Sequence, residues 1–196
     1  MKSRLMRWGM ILLMLLTQAA CAAGEPAGQE TAQPREGEKG YRNLVVGFAQ
    51  VGAESEWRTG NSQSIKDAAE NLGVELIFVD GQQEQENQIK AIRTFIAQQV
   101  DVIGVSPVVE TGWDSVFQEA REAGIPIILV DRRANVPDDL YATHLGSDFV
   151  EEGRNAARVM VKLLNGKGNI VELSGTTGSA PAVDRYKGFR EIIRNY

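Results

Sequence analysis

Cysteine and histidine each occur once in these 196 residues. A lone cysteine excludes a disulfide framework within the chain, and one cysteine with one histidine leaves zinc without its usual ligand set. Basic excess is missing as well: 21 Lys and Arg stand against 26 Asp and Glu, for a net charge of −5. No basic face is on offer for nucleic acid. Aromatic residues make up only 7%, yet regular apolar runs in a 43% apolar composition exclude a disordered chain. Walker and dinucleotide-binding glycine patterns are absent, and Gly47 to Gln50 lacks the necessary spacing. Gly175 to Gly178 is a weak phosphate-loop candidate that reads as a turn. His144 has no nucleophile elbow to serve, so it reads as a core or surface residue. The expectation is a protein with no metal, no cofactor and no enzymatic chemistry.

What is present begins with an address. Lys2, Arg4 and Arg7 precede a short apolar core, and Ala19, Ala20, Cys21, Ala22 and Ala23 follow it. A basic start, an apolar core and small residues make a signal peptide, assigned to residues 1–20. Its uninterrupted apolar run, 8–16, has nine residues, too few for a bilayer core of about 30 Å. The end of that core resembles a bacterial lipobox, which implies lipidation of Cys21. The leucine usual three residues before the cysteine is Gln18 here, which keeps simple cleavage after Ala22 open. Losing residues 1–20 leaves 18 bases against 26 acids.

Residues 24–40 hold four Gly, two Pro and four Glu, with Ala27 and Ala32 the apolar members. Such a stretch cannot bury enough surface to fold, so 21–40 reads as a flexible tether. Its 17 residues from Gly24 reach on the order of 20–25 Å.

From Asn43 the chain alternates. Apolar runs at 44–49, 74–79, 100–105 and 126–130 are separated by helical patterns at 56–72, 84–98 and 112–123. Gly73 and Gly124 stand where helices end, and Thr111 is the expected cap of the third helix. Short Val- and Ile-rich runs joined by helices are buried parallel strands with right-handed crossovers. The class is doubly wound α/β.

After Asp131 the rhythm breaks at a charged stretch, and βα alternation resumes with a strand at 140–145 and a helix at 149–164. A strand at 169–173 and a helix at 182–194 follow. This layout predicts a first lobe at 41–134, a hinge at 135–139 and the start of a second lobe at 140–196. That second lobe reads as incomplete, and therefore as the more mobile half.

Ligands of open α/β sheets bind at the carboxyl ends of the strands. The residues just beyond those ends are Gln50, Glu54, Trp57 and Arg58, then Asp80, Ser106, Asp131 with Arg132, and Ser147. Gly175 to Gly178 lead on to Asp184 and Arg185. Adjacent Asp131 and Arg132 offer an acceptor and a planar multiple donor, a combination that a neutral polyol satisfies. A tryptophan at the same rim can cover the C–H face of a sugar ring. Capping or surface pairing for the Asp-Arg pair, and core packing for Trp57, are the plainer readings and stay open on these residues alone.

Four stretches carry a family resemblance: VGFAQVGAESEWR at 46–58, DGQQEQENQIKAIRTFIAQQVDVIGVSPVVETGW at 80–113, IPIILVDR at 125–132 and VELSGTTGSAPAVDRYKGF at 171–189. They resemble the type I periplasmic sugar-binding proteins of ABC importers, nearest to the galactofuranose-binding branch. The resemblance implies a two-lobed fold, truncated here at its C-terminus, with an interlobe cleft. Glu54, Trp57, Arg58, Asp131 and Arg132 would line that cleft from one side, and Thr176 and Arg185 from the other. Ser147 and Ser106 fall at further positions near the ligand, the second where relatives carry asparagine. The implied partners are a monosaccharide and the membrane subunits of an ABC permease, with the membrane reached through the lipid. A monomer that binds no nucleic acid is expected, outside the cytoplasm, lipid-anchored or soluble in the periplasm. The alternative is the sugar-sensing domain of a membrane receptor or kinase. A repressor core of the same fold would need an N-terminal helix-turn-helix, where residues 1–40 supply a signal and tether instead.

Overall fold

A computed structural model describes residues 40–196. The expected signal peptide, the expected lipidation site at Cys21 and all of the expected tether but Gly40 lie outside the described residues.

Five strands form one parallel sheet in the order β2-β1-β3-β4-β5. They are β1 (Val45–Gln50), β2 (Glu75–Asp80), β3 (Val102–Val105), β4 (Ile127–Val130) and β5 (Thr143–Leu145). The helices are α1 (Glu56–Leu72), α2 (Gln85–Ala97), α3 (Asp114–Glu122), α4 (Phe149–Leu163) and α5 (Ala180–Ile193). All four strand pairings are parallel, with Gly47 opposite both Ile77 and Ile103 in the centre of the sheet. Parallel strands must be covered on both faces, which is why their sequences are near-continuous apolar runs. The core lies between this sheet and α2 and α3, around Ile92, Phe95, Ile103, Trp113, Phe117 and Ile127.

Local chemistry sets the helix ends. Ser55, in extended backbone, accepts the Arg58 N–H on its Oγ at 3.2 Å and starts α1. Gly73 ends that helix in the left-handed region at φ 73°, where a side chain would be strained. Asp148 caps α4 through the Glu151 N–H at 2.9 Å. Helix α3 departs from expectation. Its cap position is Trp113 rather than Thr111, because the chain turns through left-handed Gly112 before the helix begins. The Thr111 carbonyl instead accepts Gln85 Nε2 at 2.7 Å.

Two larger expectations need correction. Residues 140–145 are expected to open a second lobe, but β5 pairs with β4 as an edge strand of the same sheet. Residues 135–139 therefore lead from one strand to its neighbour, and Leu140 joins the core beneath. Residues 169–173 form no strand; they run unpaired, with Val171 89% and Leu173 95% exposed. A strand exists by pairing its backbone with a neighbour, and no neighbour lies alongside this stretch among the described residues.

Helices α4 and α5 pack closely on each other. A Cβ at Gly153 would overlap the Arg185 carbonyl, and one at Gly188 the Val150 carbonyl. The crossing is backbone against backbone, and only glycine permits it.

Candidate functional site

The carboxyl ends of β1, β4 and β5 and the N-terminal turns of α1, α4 and α5 enclose a cleft of about 380 Å³. Glu54, Trp57, Arg58, Asp131, Arg132, Ser147 and Arg185 line it, joined by Ser55, Phe149, Glu152 and Pro181.

Two buried arginines form its floor. Arg58 is 2% exposed, and its Nη2 donates to Asp131 Oδ2 at 2.6 Å while Nη1 donates to Ser106 Oγ at 3.1 Å. Arg132 is 6% exposed, with Nη2 on Glu54 Oε1 at 2.5 Å and Nη1 on the Val108 carbonyl at 3.3 Å. Glu54 also lies 3.6 Å from Arg58 Nε, which links the two pairs. Cations and anions alternate along the chain Arg132–Glu54–Arg58–Asp131, so the floor carries no net charge. Burial pulls the Arg132 guanidinium below its ordinary pKa, and the Glu54 carboxylate opposes that shift. A guanidinium so placed is still charged in any neutral medium.

Both arginines retain an Nε that is buried and without a hydrogen-bond partner. Buried donors are paired in all but a few cases, so two orphans in one cleft are an observation that needs an account. Asp131 is held in the left-handed region at φ 64°. Its N–H donates to the Leu145 carbonyl at 2.7 Å, and its own carbonyl lies 3.1 Å from His144 Nε2. Edge strand β5 thereby fixes an unfavourable backbone at a site residue, a feature that clusters where ligands bind.

Trp57 forms the rim. It is 60% exposed, with the Arg58 guanidinium 4.8 Å from its ring centroid, so core packing is not its role. On the opposite wall Arg185 Nε donates to Glu152 Oε2 at 2.9 Å, and its guanidinium lies 4.7 Å from the Phe149 ring centroid.

The structure brings seven of the nine predicted residues to the cleft wall. Ser106 sits behind the wall, fully buried, as an acceptor for Arg58. Thr176 does not reach the cleft: it is exposed in the turn before α5, where its carbonyl accepts the Ser179 hydroxyl at 2.8 Å. Sequence reasoning missed Ser55, Phe149, Glu152 and Pro181. Ser55 was findable as a polar residue directly before an acidic first turn, whereas the other three carry no signal apart from their place at helix starts.

Residues 46–196 match the periplasmic binding protein domain family. The chain belongs to that family. It is 51% identical over 154 residues to the galactofuranose-binding protein YtfQ of Escherichia coli (strain K12), covering 78% of this chain and 48% of YtfQ. Among solved structures, it is similar to the periplasmic binding protein component of the arabinose ABC transporter from Shewanella sp. ANA-3, bound to α- and β-L-arabinofuranose. That match has a TM-score of 0.74 at 51% identity, over 78% of this chain and 51% of the other. A structure from Mycobacterium smegmatis in complex with β-D-fucofuranose matches with TM-score 0.73 at 54% identity, over 77% and 51%. The expected type I periplasmic binding fold is thereby shown. The chain spans about half the length of the curated relatives it matches.

Proposed function

We propose that this chain captures a monosaccharide in its furanose form, outside the cytoplasm, for delivery to an ABC permease. The observation that carries the proposal is the buried quartet of Glu54, Arg58, Asp131 and Arg132 with its two orphaned Nε donors. A sugar hydroxyl donates and accepts at once, so it can bridge cation and anion without adding charge to a buried place. Charged ligands would upset the neutral floor at a desolvation cost. Trp57 offers its exposed face to the apolar side of the ring. The similar structures named above hold L-arabinofuranose and D-fucofuranose, which supports the furanose form. Closure of a second lobe over the ring would trap it without any covalent step. With β5 in the first sheet, the lobe boundary belongs near residues 146–148. Cys21, as a lipid-bearing N-terminus, would hold the domain at the membrane.

The test is equilibrium binding of L-arabinose and D-galactose, followed by calorimetry and tryptophan fluorescence, against methyl pyranosides locked in the six-membered ring. The free sugars should bind and the locked ones should not. Charge-assisted hydrogen bonds contribute about 1.5–3 kcal/mol. Arg132→Ala and Asp131→Ala should each weaken binding roughly 10- to 150-fold. Unchanged affinity in both variants would remove the cleft assignment.

A further inference from the structure

Gln88 is a wholly buried polar side chain of α2 that does not line the cleft. Its Nε2 donates to the Ala49 carbonyl at 3.1 Å and to the Ser106 carbonyl at 2.7 Å. Its Oε1 accepts the Val108 N–H at 3.0 Å. All three partners are main chain, one near the end of β1 and two in the loop that follows β3. The β1–β3 ladder reaches only as far as the Ser106 N–H, which donates to the Ala49 carbonyl at 3.2 Å, so Pro107 and Val108 lie beyond it.

The same loop holds both arginines of the cleft. Ser106 Oγ accepts Arg58 Nη1, and the Val108 carbonyl accepts Arg132 Nη1. One side chain therefore fixes residues 106–108 from behind, and those residues fix the two guanidiniums in front.

We infer that Gln88 is a positioning residue that sets the Arg58 and Arg132 forks relative to each other, and so governs affinity without touching the ligand. The effect on affinity rests on the sugar reading of the cleft; the effect on the arginines does not. A side chain without the amide would leave the buried Ser106 carbonyl and Val108 N–H short of a partner, while the Ala49 carbonyl keeps the Ser106 N–H, and the loop would move to satisfy them. Guanidinium hydrogen bonds are planar and directional, so a shifted loop misaligns both forks.

The experiment uses the full chain with Gln88→Met and, as a packing control, Ile92→Val one turn further along α2. Without sugar, the ¹⁵N signals of the Arg58 and Arg132 Nε–H groups are followed, since both are buried. Gln88→Met should shift or broaden both signals, and Ile92→Val neither. Two unmoved signals in folded Gln88→Met would overturn the inference. Should that variant fail to fold, Gln88→Asn, with the amide kept but withdrawn by one methylene, is judged by the same criterion. With L-arabinose, Gln88→Met should weaken binding about tenfold, but by much less in an Arg132→Lys background. Losses that simply add would also overturn it. Absence of L-arabinose binding by wild type would count against the sugar reading, and the guanidinium signals would then decide the role of Gln88.

Discussion

Residues 45–145 and residues 146–196 are built from similar apolar patterns, yet the first stretch covers its apolar side chains with a sheet and the second does not. Every residue of the main core cluster, with the side chains packed against it, falls between Val45 and Tyr141. In the second stretch α4 and α5 cover each other, while Val159, Leu163, Val171 and Leu173 are exposed. Apolar surface stabilises a fold only when removed from water, at roughly 25 cal/mol per Å². The same residue type therefore contributes a great deal in one stretch and little in the other. The cleft draws on both, with its buried charges in the first and a more exposed wall, Arg185 and Glu152, in the second.

The sharpest way to break this contrast is to remove one large apolar side chain from each stretch. Trp113→Ala should cost about 3–5 kcal/mol, because the indole is wholly buried and its Nε1 donates to the Val109 carbonyl at 2.7 Å. Leu173→Ala should stay within about 0.5 kcal/mol. Urea midpoints measure both, and equal losses would mean that 169–173 is covered in solution.

A middle-sized effect compares helix starts. Serines precede both α1 and α5, but only Ser55 takes a helix N–H on its side chain. Ser55→Ala should cost about 1 kcal/mol. Ser179 is buried, but its hydroxyl serves only the carbonyl of exposed Thr176, which water can reach in its place, so Ser179→Ala should cost less in the same titration.

The smallest effect concerns Glu110, where the two stretches meet through its N–H on the Gly178 carbonyl at 2.9 Å. Partial burial, with the Asp184 carboxylate second, raises its pKa. A raised folded-state value favours the neutral acid, so its stabilising contribution is present at low pH. That contribution is lost as pH rises through the carboxylate range and past the folded value. Glu110→Gln should match wild type below that range and grow more stable than it above, in midpoints taken across pH. A constant difference at all pH values would remove the role of titration.

Most of the sheet and its helices were legible in the residues, because period and punctuation are local. The apolar runs and the glycines at 73 and 124 located β1 to β4 and α1 to α3 within about two residues, the ordinary scatter of helix and strand ends. The strand-end rule likewise pointed to Asp131, Arg132 and Arg58, since the chemistry of those residue types is visible in the chain. What escaped was which partner each element finds. Residues 140–145 and 169–173 both carry strand patterns, yet one pairs with β4 and the other pairs with nothing. Gln88 escaped for a related reason. A glutamine in a helix looks like a solvent-facing residue until the ends of β1 and β3 are seen to lie beside it.

From the residues alone follow the α/β alternation, the acidic charge, the scarcity of cysteine and histidine and the placing of polar residues beyond strand ends. Each follows from composition or from spacing along the chain. Only the folded arrangement shows that β5 joins the first sheet, that Thr176 lies outside the cleft and that four charges link into a neutral quartet. Glu54 and Arg132 are 78 positions apart, and Arg58 and Asp131 are 73 apart. Contacts over such separations depend on how strands order themselves in a sheet, and that order is set by burial of both sheet faces at once rather than by any local stretch of residues.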